Sequence, residues 1–146
     1  MQRSIDACHI RKAEAADFSF IYDLYRQTLS IYSHLPQERR CKEVKADLER
    51  LPFEILVDQG KAVGAIAISD QGDILTIHFL AILPTHQRRG LGTYLLRPIL
   101  AQATQRNIRV GLSVIRDNPA REFYEQLGFE AAGSDKYSFF MEWQPY

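Results

Sequence analysis

The sequence predicts a mixed α/β domain, an α+β arrangement with one central mixed sheet flanked by about four helices, and three observations carry that expectation. The apolar runs Phe53–Asp58, Ala62–Ser69 and Ile74–Leu83 are separated only by Gln59-Gly60 and Asp70-Gln71-Gly72-Asp73, the pattern of an antiparallel meander joined by tight turns. Gly90–Asn107 then reads as a helix and Val110–Ile115 as a strand, which with Ile74–Leu83 makes a right-handed parallel crossover. Finally, 146 residues at 46% apolar and 25% charged suit one core, so residues 1–146 are expected to form a single domain.

The elements follow in order. His9–Lys12 reads as a short strand. Asp17 can cap a helix whose Phe18, Ile21, Tyr22, Tyr25, Leu29 and Tyr32 recur at helical spacing. Beyond His34-Leu35-Pro36, the positions Cys41, Val44, Leu48 and Leu51 give a second, amphipathic helix with charges on its other face. Ile74–Leu83 is the most apolar strand and should be central. Pro98 falls inside the third helix, where it removes a backbone hydrogen bond and should kink the axis. Asp117 or Asn118 as cap, Pro119 at the first helical position and Gly128 after Leu127 bracket a short fourth helix with Phe123, Tyr124 and Leu127 on one side. Two last strands lie near Phe129–Ala132 and Lys136–Trp143.

Composition excludes several functions. Lys plus Arg and Asp plus Glu number 18 each, so the global basic charge of a nucleic-acid binder is missing. The longest apolar run, Phe79–Pro84, is far below the roughly 20 residues of a membrane span. Met1–Arg11 lacks the continuous apolar segment of a secretory signal, which makes a reducing cytoplasm the expected compartment. Cys8 and Cys41 stand alone and read as small hydrophobes. His9, His34, His78 and His86 have no paired ligand spacing, so no metal is expected.

The informative stretch runs from Leu80 to Thr93, where an apolar strand ends, a polar loop follows and two glycines open a helix. Unpaired N–H groups at the helix start sit at the positive end of its dipole, and glycine lets an anion approach them closely. The same letters also suit a tight strand-to-helix turn with solvated Arg88 and Arg89. A dinucleotide fingerprint fails, because Leu95 stands where a third glycine belongs and no acidic residue follows about 20 positions on. A Walker loop fails for want of Gly-Lys-Ser/Thr.

The segment Gln87-Arg88-Arg89-Gly90-Leu91-Gly92 resembles the Gln/Arg-x-x-Gly-x-Gly/Ala pyrophosphate loop of the GNAT N-acetyltransferase superfamily, and Leu80-Ala81-Ile82 resembles the strand that bonds the pantetheine arm. Asn118–Phe129 is similar to that family's Asn…Ala-x-x-Phe-Tyr-Glu-x-Leu-Gly-Phe segment, and the element order agrees over nearly the whole chain. The resemblance implies acetyl-coenzyme A as acetyl donor and direct attack of a primary amine on the thioester. It places Leu80, Ala81 and Ile82 along the pantetheine, Gln87, Arg88, Arg89, Gly90, Leu91, Gly92 and Thr93 around the pyrophosphate, and Asn118 beside the coenzyme. Because the family often has one more residue between this Asn and the Tyr, Asp117 competes for that place, and Asn118 can equally be a helix cap. Tyr124 would be the general acid, since a phenol of pKa about 10 can protonate a departing thiolate of about 8.5. By periodicity alone Tyr124 is an aromatic on a buried helix face.

An alkylammonium of pKa near 10.4 must lose a proton before attack. Where some relatives carry Glu, this chain has Thr76 and Ser113, neither of which is a base at neutral pH. His78 remains, either as base through a water or as a half-buried structural histidine. Tyr25, Tyr32, His34 and Tyr137 are the candidates for lining an acceptor pocket, although Tyr25 and Tyr32 also fit the buried stripe of the first helix. The implied acceptor is a small-molecule amine or a peptide amine; protein lysine or N-terminal acetylation, and a coenzyme-binding regulator without chemistry, stand as alternatives. Analogy allows a monomer or a homodimer.

Overall fold

The structure is a computed structural model that describes residues 7–29 and 37–145, with the side chains of 37–41 outside that description. Tyr32, His34 and the Cys41 side chain therefore lie outside the described residues. The strands are β1 (Cys8–Lys12), β2 (Phe53–Asp58), β3 (Lys61–Asp70), β4 (Ile74–Ile82), β5 (Arg109–Ile115), β6 (Glu130–Ser134) and β7 (Ser138–Trp143). The helices are α1 (Phe18–Thr28), α2 (Gln37–Arg50), α3 (Leu91–Arg106) and α4 (Ala120–Gln126). One mixed seven-stranded sheet runs in the order β1-β2-β3-β4-β5-β7-β6, so β4 is central, as its composition predicted. β4 and β5 are parallel, while β1–β2, β2–β3, β5–β7 and β6–β7 are antiparallel. The expected meander and crossover are both present, and α3 continues through Pro98.

Two compact units divide the chain: Met1–Ala67 with Phe79–Leu95, and Ile68–His78 with Leu96–Tyr146. In the first, α1 and α2 bury Ile21, Leu24 and Val44 against Phe53, Ile55, Val57, Ala65, Ala67, Phe79 and Ala81. Phe53 and Phe79 meet at a centroid distance of 5.3 Å. Leu24 has no exposed surface, so Leu24→Ala should cost about 2–5 kcal/mol of unfolding free energy in urea titration, the sum of lost burial and a residual cavity. Gly64 in β3 is a site of close backbone approach: a Cβ there would lie 2.9 Å from the Ala81 carbonyl oxygen and 2.7 Å from Ile82 Cδ1.

Asp17 does not cap α1 with its side chain. A 3-10 helix over Ala15–Asp17 precedes α1, and the Asp17 carboxylate instead accepts the Glu14 N–H at 2.7 Å and both Arg11 guanidinium nitrogens at 2.8 Å. The helix then ends at Thr28, short of Tyr32.

In the second unit, Arg106 donates to both carboxylate oxygens of Asp70, at 2.7 and 3.0 Å. That guanidinium, followed by the Gly72 N–H, holds the Asp70 carboxyl down at about 2. Because this lies below the unfolded value of about 3.9, the stabilisation is intact above that value and is lost as pH falls towards 2. Asp70→Asn should therefore show a smaller drop in Tm than the parent between about pH 5 and pH 2, read by thermal denaturation at low salt.

Candidate active site

Pro84–His86 forms one 3-10 turn after β4, and the Gln87 side-chain amide then donates to the Ile82 carbonyl at 2.9 Å, pinning the loop to the strand end. Arg88 and Gly90 adopt left-handed φ of 64° and 80°, while Arg89 between them does not. Such alternation turns successive N–H groups towards one side, the geometry of an anion-binding nest, and Gly90 reaches it without the cost a Cβ imposes. Among the described residues, no hydrogen bond outside the helices and strands uses the N–H of Arg88, Arg89 or Gly90. Residues 87–90 are exposed, and α3 starts at Leu91 with the unpaired first-turn amides of any helix. The residues present thus fit a diphosphate: exposed amides, two arginines and two glycines.

Pairing between β4 and β5 covers Ile74–Ile77 against Arg109–Leu112. β4 nevertheless continues to Ile82, and β5 to Ile115. Leu80, Ala81 and Ile82 therefore follow the point where β5 stops pairing with β4, which suits an edge that accepts an extended ligand.

In the second unit, Tyr124 is buried on α4, in edge-to-face contact with Phe123 at 5.3 Å and Phe129 at 5.6 Å. Burial pushes its phenol well above the ordinary value of about 10, which keeps the hydroxyl protonated at neutral pH but makes it a weaker acid towards a thiolate than the sequence argument assumed. Asn118 Oδ1 accepts the Ala120 N–H at 2.9 Å, but α4 begins at Ala120 with Pro119, not Asp117 or Asn118, in the cap position and no side-chain cap bond, one residue later than the sequence suggested.

A cleft of about 520 Å³ in the same unit brings together the three residues weighed as base or base replacement: Thr76, His78 and Ser113. His78 is exposed on β4, and its Nε2 lies 2.7 Å from Ser69 Oγ. Gly111, Phe140 and Glu142 also line the cleft, and Arg109 holds Glu142 Oε1 at 2.8 Å. Phe140 and Glu142 escaped the sequence reading, although two-residue alternation along β7 places both on one face. Tyr25 lies partly buried against the core of the first unit, Tyr137 is exposed, and neither lines this cleft. Among the described residues, no group of three or more His, Cys, Asp or Glu could hold a metal ion, and no helix is long and apolar enough to cross a membrane.

Residues 18–129 match the Acetyltransferase (GNAT) family. The chain belongs to the GNAT family. As a GNAT member it is an acyltransferase, and the resemblance read from Gln87–Gly92 and Asn118–Phe129 stands. This GNAT chain is 29% identical over 121 residues to the [ribosomal protein bS18]-alanine N-acetyltransferase of Haemophilus influenzae, covering 82% of the chain and 80% of that relative. The crystal structure of the ribosomal-protein-S18-alanine N-acetyltransferase from Escherichia coli superposes with a TM-score of 0.72 at 23% identity, over 94% of this chain and 93% of that one. The PaiA N-acetyltransferase from Thermoplasma acidophilum, solved in complex with coenzyme A, gives a TM-score of 0.76 at 18% identity, over 94% and 98%. These solved structures establish the GNAT fold.

Proposed function

We propose that residues 1–146 act as one N-acetyltransferase domain that moves the acetyl group of acetyl-coenzyme A to a primary amine, with a peptide or protein α-amine as acceptor. The observation that carries this reading is the exposed glycine loop after β4, with left-handed φ at Arg88 and Gly90 and, among the described residues, no loop backbone hydrogen bond from the N–H of Arg88, Arg89 or Gly90. The family match supports the donor, and the alanine N-acetyltransferase relatives support the acceptor class. When bound, acetyl-coenzyme A supplies an activated acyl carbon and a thiol leaving group. Leu80–Ile82 would align the pantetheine amides, and the N–H groups of Arg88–Thr93 would hold the diphosphate. Orientation of this kind supplies several kcal/mol of the barrier. His78 takes the ammonium proton through a water, and Tyr124 gives its proton to the sulfur as the new C–N bond replaces the C–S bond. Glu142 is not assigned as base, because Arg109 occupies it.

Thiol release from acetyl-coenzyme A with an alanine-initiated peptide, beside a panel of small amines, tests the assignment. Release with the peptide is the expected result. Release with small amines alone would move the acceptor to metabolites. Tight coenzyme binding without release for any amine would favour a regulator, the reading that Thr76 and Ser113 at the family's carboxylate positions support.

A further inference from the structure

Phe139 and Phe140 are neighbours on β7, so their side chains leave opposite faces of the sheet. The Phe139 ring is occupied by the chain's own cations, with the guanidinium carbons of Arg116 and Arg121 at 4.5 and 4.0 Å from its centroid. Phe140 lines the cleft and is 40% exposed, and among the described residues no cation or second ring covers it. It stands across from Ser113, the first residue of β5 beyond the ladder with β4. Two residues on, and on the same face, Glu142 is the one carboxylate that lines the cleft among the described residues. Arg109 takes its Oε1 at 2.8 Å, and no other described group bonds to either oxygen. A carboxylate has lone pairs for more than one donor, so Oε2 can receive a second cation. Glu130, across from Glu142 on β6, adds a further negative charge on that face. An open aromatic face about 7 Å along a strand from a carboxylate with a spare oxygen suits a guanidinium, which stacks flat on the ring while its N–H fork reaches the carboxylate.

We propose that Phe140 and Glu142 are specificity-determining residues that take an arginine side chain near the amino terminus of the acceptor peptide, its guanidinium stacked on Phe140 and paired with Glu142 Oε2. The inference rests on the peptide-acceptor reading above and adds to it a preference for a basic residue close to the reacting one. Lysine, a compact point charge without a planar face, should be the poorer occupant.

Thiol release with alanine-initiated peptides that differ only in arginine, lysine or glutamine at the second or third position tests the preference. The parent should show a KM about tenfold lower for the arginine peptide than for the glutamine peptide, with lysine between them. Glu142→Gln and Phe140→Leu should each bring the arginine and glutamine peptides to within about threefold of one another, whereas Phe140→Tyr keeps the aromatic face and the preference. Arg109→Gln should sharpen the preference, because the competing guanidinium is gone. A purely structural ion pair would instead make Glu142→Gln and Arg109→Gln act in the same direction. Binding is read without turnover by titrating the ligand-free protein with the N-acetylated arginine peptide, which should shift the backbone amide signals of Phe140 and Glu142 in the parent and leave them in place in Glu142→Gln. Equal KM for the arginine and glutamine peptides in the parent, a lysine peptide that matches arginine, or unmoved amide signals at these two residues overturns the proposal. If no alanine-initiated peptide releases thiol, the acceptor reading falls, while the titration still decides the guanidinium site.

Discussion

Tyr124→Phe is expected to lower kcat about a hundredfold or more while leaving the affinity for acetyl-coenzyme A unchanged, the signature of a lost proton donor. The variant keeps the ring that packs edge-to-face between Phe123 and Phe129, so the core around α4 is retained. Its stability should also separate from the parent at high pH. Burial raises the folded phenol above its unfolded value of about 10, so the stability tied to the neutral phenol is complete below that pH and is lost as pH rises further. Phenylalanine cannot ionise, so Tyr124→Phe should lose less Tm than the parent on the alkaline side. Single-turnover acetyl transfer and thermal melts at neutral and high pH check both parts. Parental kcat in Tyr124→Phe would remove the tyrosine from the reaction.

Gly92→Glu should abolish coenzyme binding without unfolding the protein. Gly92 lies in the first turn of α3, where a carboxylate interacts favourably with the helix dipole, by about 0.3–1 kcal/mol. The same carboxylate would stand where the diphosphate is proposed to sit, so like-charge repulsion and lost space act together. At 100 times its dissociation constant a ligand stabilises the parent by about 2.7 kcal/mol, roughly 5–10 °C in Tm for a domain of this size. Gly92→Glu should melt near the ligand-free parent and show no shift at the same coenzyme concentration. An undiminished shift would place the diphosphate elsewhere.

Much of this fold was legible because its local signals agree with its tertiary structure. The turns at Gln59-Gly60 and Asp70–Asp73 separate strands whose observed bounds agree with those read off the sequence to within one residue. The α4 segment was nearly as plain, although Pro119 stands at the cap and not at the first helical position, and the helix ends at Gln126 ahead of the left-handed Gly128. Asp17 was misread because Arg11, six residues away, takes its carboxylate, and no helical periodicity reports that pairing. The order of the last strands was also hidden: β7, not β6, adjoins β5. β6 is exposed along its whole length whereas β7 buries Met141, a difference that emerges only once β7 is seated against β5. Thr76, His78 and Ser113 were named singly from position, but their assembly around one cleft required parallel pairing of β4 with β5. Ser69 carried no signal at all, being one more hydroxyl near the end of a strand.

Gly64 touches none of the chemistry, yet a Cβ there would stand only 2.9 Å from the Ala81 carbonyl oxygen, so only a residue without one lets β3 lie where it does. The strand proposed to grip the pantetheine is thus braced from behind by an empty position, as a shelf is levelled by what is left out beneath it. Selection on donor alignment would then act at a residue that never meets the donor, and a search for determinants of acyl-chain preference should extend to the strand at its back.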